Sequence, residues 1–207
     1  MPGPFTRVVR PGRWSRAVPG SNHERTLRSG RPAGLCGARH PGGDAPLDRA
    51  GIGPFFIEEH IRPKGEYDGG AIRPDLSAAF AYLGDQQIEV IEQHDDGPTI
   101  YRDFLADQPG GGLQHLAVWA DNIAETVAAL DAAGRIYTVR QRYGDGHAYL
   151  DSNDEPGVMV QLMARTEHLV QLMETIRAAS IDWDGVTAPI RRIDWSTGTP
   201  VPEVVAD

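Results

Sequence analysis

The sequence has almost no cysteine: Cys36 stands alone among 207 residues. An intrachain disulfide and a cysteine-rich zinc site are thereby excluded, and the cytoplasm is the expected compartment. Long apolar runs are absent too, with none near the roughly 18 residues that a membrane-spanning helix requires. No apolar stretch opens the chain, so no secretory signal is expected. At 40% hydrophobic and 24% charged residues the chain still has enough apolar side chain for an ordinary core. Its length suits one domain or two small ones.

Positive charge is scarce outside the head. The net charge is −9, yet residues 1–50 carry nine arginines against Glu24, Asp44 and Asp48, a balance of +6. The remainder therefore carries −15, which repels nucleic-acid phosphates. No specific nucleic-acid partner and no membrane partner is expected. The head has no lysine and shows neither the strand nor the helix period. Prolines at 2, 4, 11, 19, 32, 41 and 46 would interrupt any helix.

Two readings account for such a head. One is a disordered tail. The other, which is favoured, is GC-rich DNA read out of frame, whose products are rich in Arg, Gly, Pro and Ala. A shift of one nucleotide over residues 32–50 permits QLGYVVRDTPAAMRRWTGL, an apolar strand followed by an Asp-capped helix. On this reading residues 1–31 are disordered, and 32–50 lack the strand and helix that the shifted frame would encode.

Order begins at about Gly51. GIGPFFIEEHI reads as a Gly/Pro turn and a strand, and LSAAFAYLGDQQIEVIEQ as strands 77–83 and 87–92 joined through Gly84–Asp85. IYRDFLADQPGGG is a short helical turn ending in a glycine loop. GLQHLAVWA alternates as a strand over 112–120, and a helix follows over 121–134. Asp121 or Asn122 caps that helix, Glu125 completes a capping box, Gly134 ends it, and Ile123, Val127 and Leu130 form its buried stripe. Strands at 136–142, 147–151 and 158–163 complete a βαβββ order. With an opening strand and helix restored, 32–93 would have the same order, an internal repeat of architecture. The fold class is thus α+β with paired βαβββ modules, the first lacking its opening strand and helix in the chain as written. The expected divisions are a head at 1–50, a domain at 51–164 (modules 51–111 and 112–164) and a C-terminal region at 165–207. That region holds an amphipathic helix, 166–179, and a Pro-containing tail.

Polar residues that alternation places on apolar strand faces are the informative ones. His115 shares a face with Leu113, Ala117 and Trp119; Glu89 with Gln87 and Ile91; Gln161 with Met159 and Met163. A buried carboxylate costs several kcal/mol unless it is paired or bound to metal. An imidazole, a carboxylate and an amide oxygen facing one cavity suit a divalent ion. The plainer alternative, a satisfied strand histidine and a solvated glutamate, stays open on alternation alone.

In order and spacing, GIGPFF, QQIEVIEQ, GGGLQHLAVWADNI and GVMVQLM resemble the vicinal oxygen chelate superfamily, which includes glyoxalases, bleomycin-resistance proteins and dioxygenases. The resemblance covers roughly 51–164. It implies one metal site shared by the two modules, with Glu89, His115 and Gln161 as ligands and Glu89 as a catalytic carboxylate; His147, which begins a strand beside the expected cavity, is read as a catalytic proton carrier or a further ligand. Glu92 and His94 are the next candidates. The fourth ligand expected on the first strand has no counterpart, and Gln161 stands where Glu is commoner, which would weaken metal binding. The implied cofactor is a divalent metal (Zn, Ni, Co, Mn or Fe(II)). The implied activity is enolate or enediolate chemistry on a small oxygenated metabolite by a lyase or isomerase of the glyoxalase or epimerase kind. A ring-cleaving dioxygenase needs two histidines, and only one is well placed. The rivals are a binding or resistance protein that uses the cavity without metal, and an inactive frameshifted product. A missing strand would also expose a sheet edge, implying aggregation or a homodimer.

Overall fold

The computed structural model describes residues 52–135, 137–152 and 158–204, together with the backbone of 27–28 and 32–36. In chain order the strands are β1 (Leu27–Arg28), β2 (Pro32–Cys36), β3 (Phe55–Ile61), β4 (Gly65–Tyr67), β5 (Gly70–Ile72), β6 (Leu76–Leu83) and β7 (Gln86–Gln93). Helix α1 (Ile100–Asp107) leads to β8 (Gly112–Ala120), α2 (Ile123–Ala132), β9 (Tyr137–Tyr143), β10 (His147–Ser152) and β11 (Met159–Ala164). Helix α3 (Glu167–Ser180), β12 (Ile190–Asp194) and β13 (Val201–Val204) close the chain. One sheet runs in the order β13-β12-β3-β6-β7-β2-β8-β11-β10-β9-β4-β5.

Two four-stranded units lie side by side in that order, β3-β6-β7-β2 and β8-β11-β10-β9. In each, the first strand in sequence runs parallel to the last: β2 beside β7 and β8 beside β11. The units join where β2 and β8 pair antiparallel. The second unit has the βαβββ order that its alternation predicts. Asn122 caps α2 by accepting a hydrogen bond from the Glu125 N–H at 3.1 Å, and its side-chain amide donates to the Glu125 carboxylate at 3.1 Å. Val127 and Leu130 pack with Ile123 against Ala148, Leu150 and Leu162.

Three expectations are corrected. Residues 32–36 form a strand after all, in the slot between β7 and β8 where an opening strand belongs. Both flanking edges offer backbone donors and acceptors that must be paired when buried, so even PAGLC, a poor strand former, is taken up there. The edge expected to be open is therefore occupied. Second, Leu27–Arg28 pairs with Ala120 and Trp119 of β8. The rest of the head, including the position of an opening helix in 37–50, lies outside the described residues. Third, the tail is not merely a tail: Ile190 and Arg191 extend the first unit by pairing parallel with Phe55 and Phe56.

The β4–β5 hairpin lies in sequence between β3 and β6 but pairs with β9 at the far edge of the second unit. Gly65 is required there, because a Cβ would lie 2.3 Å from the Arg142 carbonyl oxygen. Arg140 latches the closure, donating to Asp68 at 2.6 Å and to Asp103 at 2.9 Å. Burial first, and then the hydrogen bond that its own hydroxyl donates to the Asp103 carboxylate, push the Tyr67 phenol up to about 12.

Helix α3 roofs the curved sheet, burying Leu172, Met173 and Ile176 with Phe56. Ile176→Ala should cost about 2–4 kcal/mol, as buried aliphatic truncations do, read as a lower urea midpoint with unchanged slope. A cost under about 1 kcal/mol would mean that α3 is not packed on the sheet as described.

Candidate functional site

The concave face of the sheet and the α3 roof enclose a cavity of about 180 Å³. Strand alternation decides what faces it: Leu76, Ala78 and Phe80 from β6, Gln87, Glu89 and Ile91 from β7, His147 and Tyr149 from β10, Gln161 and Met163 from β11. Three residues singled out in the sequence, Glu89, His147 and Gln161, therefore line one cavity. His115 does not line it; fully buried, it lies behind the wall and reaches Glu89.

The contacts of His115 are specific. Its Nδ1 lies 2.6 Å from the Gln114 amide oxygen, which can only accept, so Nδ1 carries the proton. Its Nε2 then points a lone pair at Glu89 Oε2, 3.2 Å away. A lone pair and a carboxylate oxygen at that distance repel unless a positive centre, a proton or a metal ion, lies between them. Gln161 supplies a second unmet need. Its amide nitrogen donates to the Tyr149 hydroxyl at 2.9 Å and faces His147 Nδ1 at 3.1 Å, while its Oε1 is buried without a partner among the described residues. By donor chemistry, an imidazole lone pair, a carboxylate oxygen and an unpartnered amide oxygen are of the kinds that a divalent ion takes. The rung between Glu89 and His115 is held by Gly34, paired to both, and glycine has no side chain to donate. At that position β2 therefore offers no fourth ligand. The other two candidates do not join them: Glu92 does not line the cavity, and His94 belongs to a different cluster.

Electrostatics sorts the remaining groups. Burial holds His147 below its ordinary range, against an opposing pull from Glu89, so it is neutral at pH 7, with Nδ1, which the Gln161 amide faces, as its basic nitrogen. Burial likewise holds the Glu58 carboxyl up, with His168 opposing and Glu89 reinforcing. Glu58 lines the cavity from β3, and sequence reading missed it. The signal was available, since Glu58 alternates with the apolar Phe56, but the following bulge hid the register. Tyr101 and Tyr143 are pushed up mainly by burial and remain neutral donors. The Tyr101 hydroxyl donates to that of Tyr149 at 2.9 Å, and the His115 ring meets Tyr149 edge-on at 5.3 Å.

A second cluster lies elsewhere. His60, Asp75 and His94 each offer a ligand atom within 4.8 Å of the others. Among the described residues no helix is long and apolar enough to cross a membrane.

The arrangement is that of a small-molecule cavity built between paired modules, with nitrogen and oxygen donors converging on its wall. The sequence pattern of the Glyoxalase/Bleomycin resistance protein/Dioxygenase superfamily matches residues 47–150, half of the chain, and the chain belongs to that superfamily. No curated protein matches it. Among solved structures, methylmalonyl-CoA epimerase from Mycobacterium tuberculosis is 19% identical, covering 70% of this chain and 91% of its own, with a TM-score of 0.43. A hypothetical protein from Bacillus halodurans is 16% identical over 66% and 93%, with a TM-score of 0.41. A mutant of 4-hydroxymandelate synthase from Streptomyces coelicolor is 15% identical over 68% and 49%, with a TM-score of 0.39. Likenesses this distant assign no activity.

The raised Glu58 sets a pH test. Its folded value lies above the ordinary 4.5, so between the two the native state binds more protons than the unfolded one. Its contribution to stability is therefore full below pH 4.5 and lost as pH rises through the folded value. Glu58→Gln should raise the melting temperature at pH 7.5 by more than at pH 4. An equal shift at both pH values would show that burial imposes no penalty on this carboxylate.

Proposed function

We propose that the protein is a metal-dependent enzyme of the glyoxalase or epimerase kind, moving a proton next to a carbonyl in a small oxygenated metabolite. The observations that carry this are the buried Gln161 Oε1 with no partner among the described residues, in the cavity that Glu89 also lines, and the His115 lone pair that meets Glu89. Glu89, His115 and Gln161 would hold the ion. A divalent ion bound there polarises adjacent substrate oxygens and lowers the cost of the negative charge that proton abstraction creates.

The chain's own residues supply the rest. His147, neutral and in the cavity, receives the proton at a ring nitrogen; Glu89 is the alternative acceptor. Glu58, held toward its protonated form, is placed to return one. Neutral Tyr143 orients a substrate oxygen by donation. Phe80, Met163, Leu172 and Met173 exclude water, which strengthens every one of these interactions. Glu89 and Gln161 fit the roles that the superfamily resemblance implies, and the neutral Gln161 predicts modest metal affinity.

A cavity-binding protein without metal is the second reading, favoured by the direct approach of His115 to Glu89 at 3.2 Å. Metal titration separates the two. In the full-length chain, His115→Ala should weaken cavity metal binding by more than the roughly 10–100-fold that losing an outer partner costs, and Glu89→Ala nearly as much. Gln161→Glu should tighten it, by replacing a neutral oxygen with a charged one. A wild-type protein that binds no divalent ion, or a His115→Ala variant that keeps the cavity ion, would leave only the binding-protein reading.

A further inference from the structure

We propose that His60, Asp75 and His94 form a second divalent-metal site, of zinc type, on the outer face of the sheet, opposite the cavity. The three residues stand at the same end of three adjacent strands: His60 late in β3, Asp75 just before β6 and His94 just after β7. Alternation separates them from the cavity. The cavity takes Leu76, Ala78 and Phe80 from β6 and Gln87, Glu89 and Ile91 from β7, so Asp75, Ser77 and His94 belong to the other face. They therefore take no part in the Glu89–His115–Gln161 set.

The backbone is bent to bring them together. The register of β3 against β6 slips between Glu58 and Ile61, and His60 within that bulge has φ 53. A positive φ is uncommon for a residue with a Cβ, and a bulge re-aims the side chain that it carries. Here it swings the His60 ring to the His94 ring, with centroids 4.6 Å apart. Two imidazole nitrogens and one carboxylate oxygen, with an open position left for water, are a borderline-ion donor set.

Each ligand is also held from behind, as metal ligands are. Arg62 donates to Asp75 Oδ2 at 2.7 Å, leaving Oδ1 turned to His60 Nδ1 at 2.9 Å. Ser77 Oγ lies 2.7 Å from His94 Nε2 and accepts from the His60 N–H at 3.3 Å. The His94 N–H donates to the Asp75 carbonyl at 2.8 Å, and the Asp75 N–H to Asp95 at 2.9 Å. A tetrahedral ion with bonds of about 2.0–2.2 Å holds its ligand atoms about 3.4 Å apart. An entering zinc would thus replace the His60–Asp75 hydrogen bond, opening it by about half an ångström. The filled site pins β3, β6 and β7 together at one end and acts as a staple for the first unit.

The test uses the full chain, stripped with a chelator and titrated with Zn(II), with stoichiometry from elemental analysis and stability from thermal melts. Wild type should bind two equivalents. His94→Ala and His60→Ala, both at exposed positions, should each lose one equivalent while keeping the metal-free melting temperature near that of wild type. Zinc at 100-fold excess over each site's dissociation constant should raise the wild-type melting temperature by about 5–10 °C for each site filled. His115→Ala should keep the part of that rise that the outer site supplies, whereas His94→Ala should keep only the part that the cavity site supplies. If only one equivalent binds and His94→Ala removes it, the staple stands and the cavity reading fails. If His115→Ala alone removes it, or if His60→Ala and His94→Ala keep both equivalents and the thermal response, the staple is overturned. An absence of zinc binding overturns it equally.

Discussion

The sheet has to curl. The β4–β5 hairpin is tied through short connections to β3 and β6 near one end of the strand order, yet it pairs with β9 near the other. Both pairings can hold only if the sheet bends until its ends approach, and a right-handed strand twist bends it in that sense. The cavity follows from this closure. So does the need for a roof, since a concave face lined by Phe80, Ile91 and Met163 would otherwise meet water. Helix α3 meets that need with Leu172 and Met173. Arg140 links Asp68 beyond β4 with Asp103 of α1 and so fastens hairpin, helix and β9 at one corner. Exposed pairs contribute little singly; here their value is in fixing one closed geometry.

Closure also concentrates polar groups where water is scarce. Glu58, Glu89, His147 and Gln161 face one apolar space, and burial moves Glu58 and His147 in opposite directions on the pH scale, each toward its neutral form. One pocket thus holds a carboxyl displaced upward and an imidazole displaced downward by the same burial. The outer face of the same strands carries a different chemistry. There Arg62 and Ser77 orient the buried Asp75 and the exposed His94, at the solvent boundary of the sheet rather than within a closed cavity. One sheet thus presents donor sets on its two faces, kept apart by the two-residue period of its strands.

Local pattern determined much of this. Alternation in 112–120 and 158–163, the Asn122–Glu125 cap and the stripe of Ile123, Val127 and Leu130 each rest on near neighbours, and the second unit was legible for that reason. Alternation also marked Glu89, His115 and Gln161 as inward, because the side chains of a strand have only two faces to choose between. What it could not say was which edges meet. Residues 32–36 have the composition of a loop, and only two unpaired strand edges, distant in sequence, make them a strand. The hairpin at 65–72 and the β12 strand are likewise settled by partners far along the chain. Glu58 and the His60–Asp75–His94 cluster depend on a bulge that shifts the register by irregular steps, which no periodicity records. Periodicity is a property of neighbouring residues and is written in the sequence; pairing, curl and the meeting of side chains from separate strands are properties of the closed sheet, and only the tertiary structure decided them.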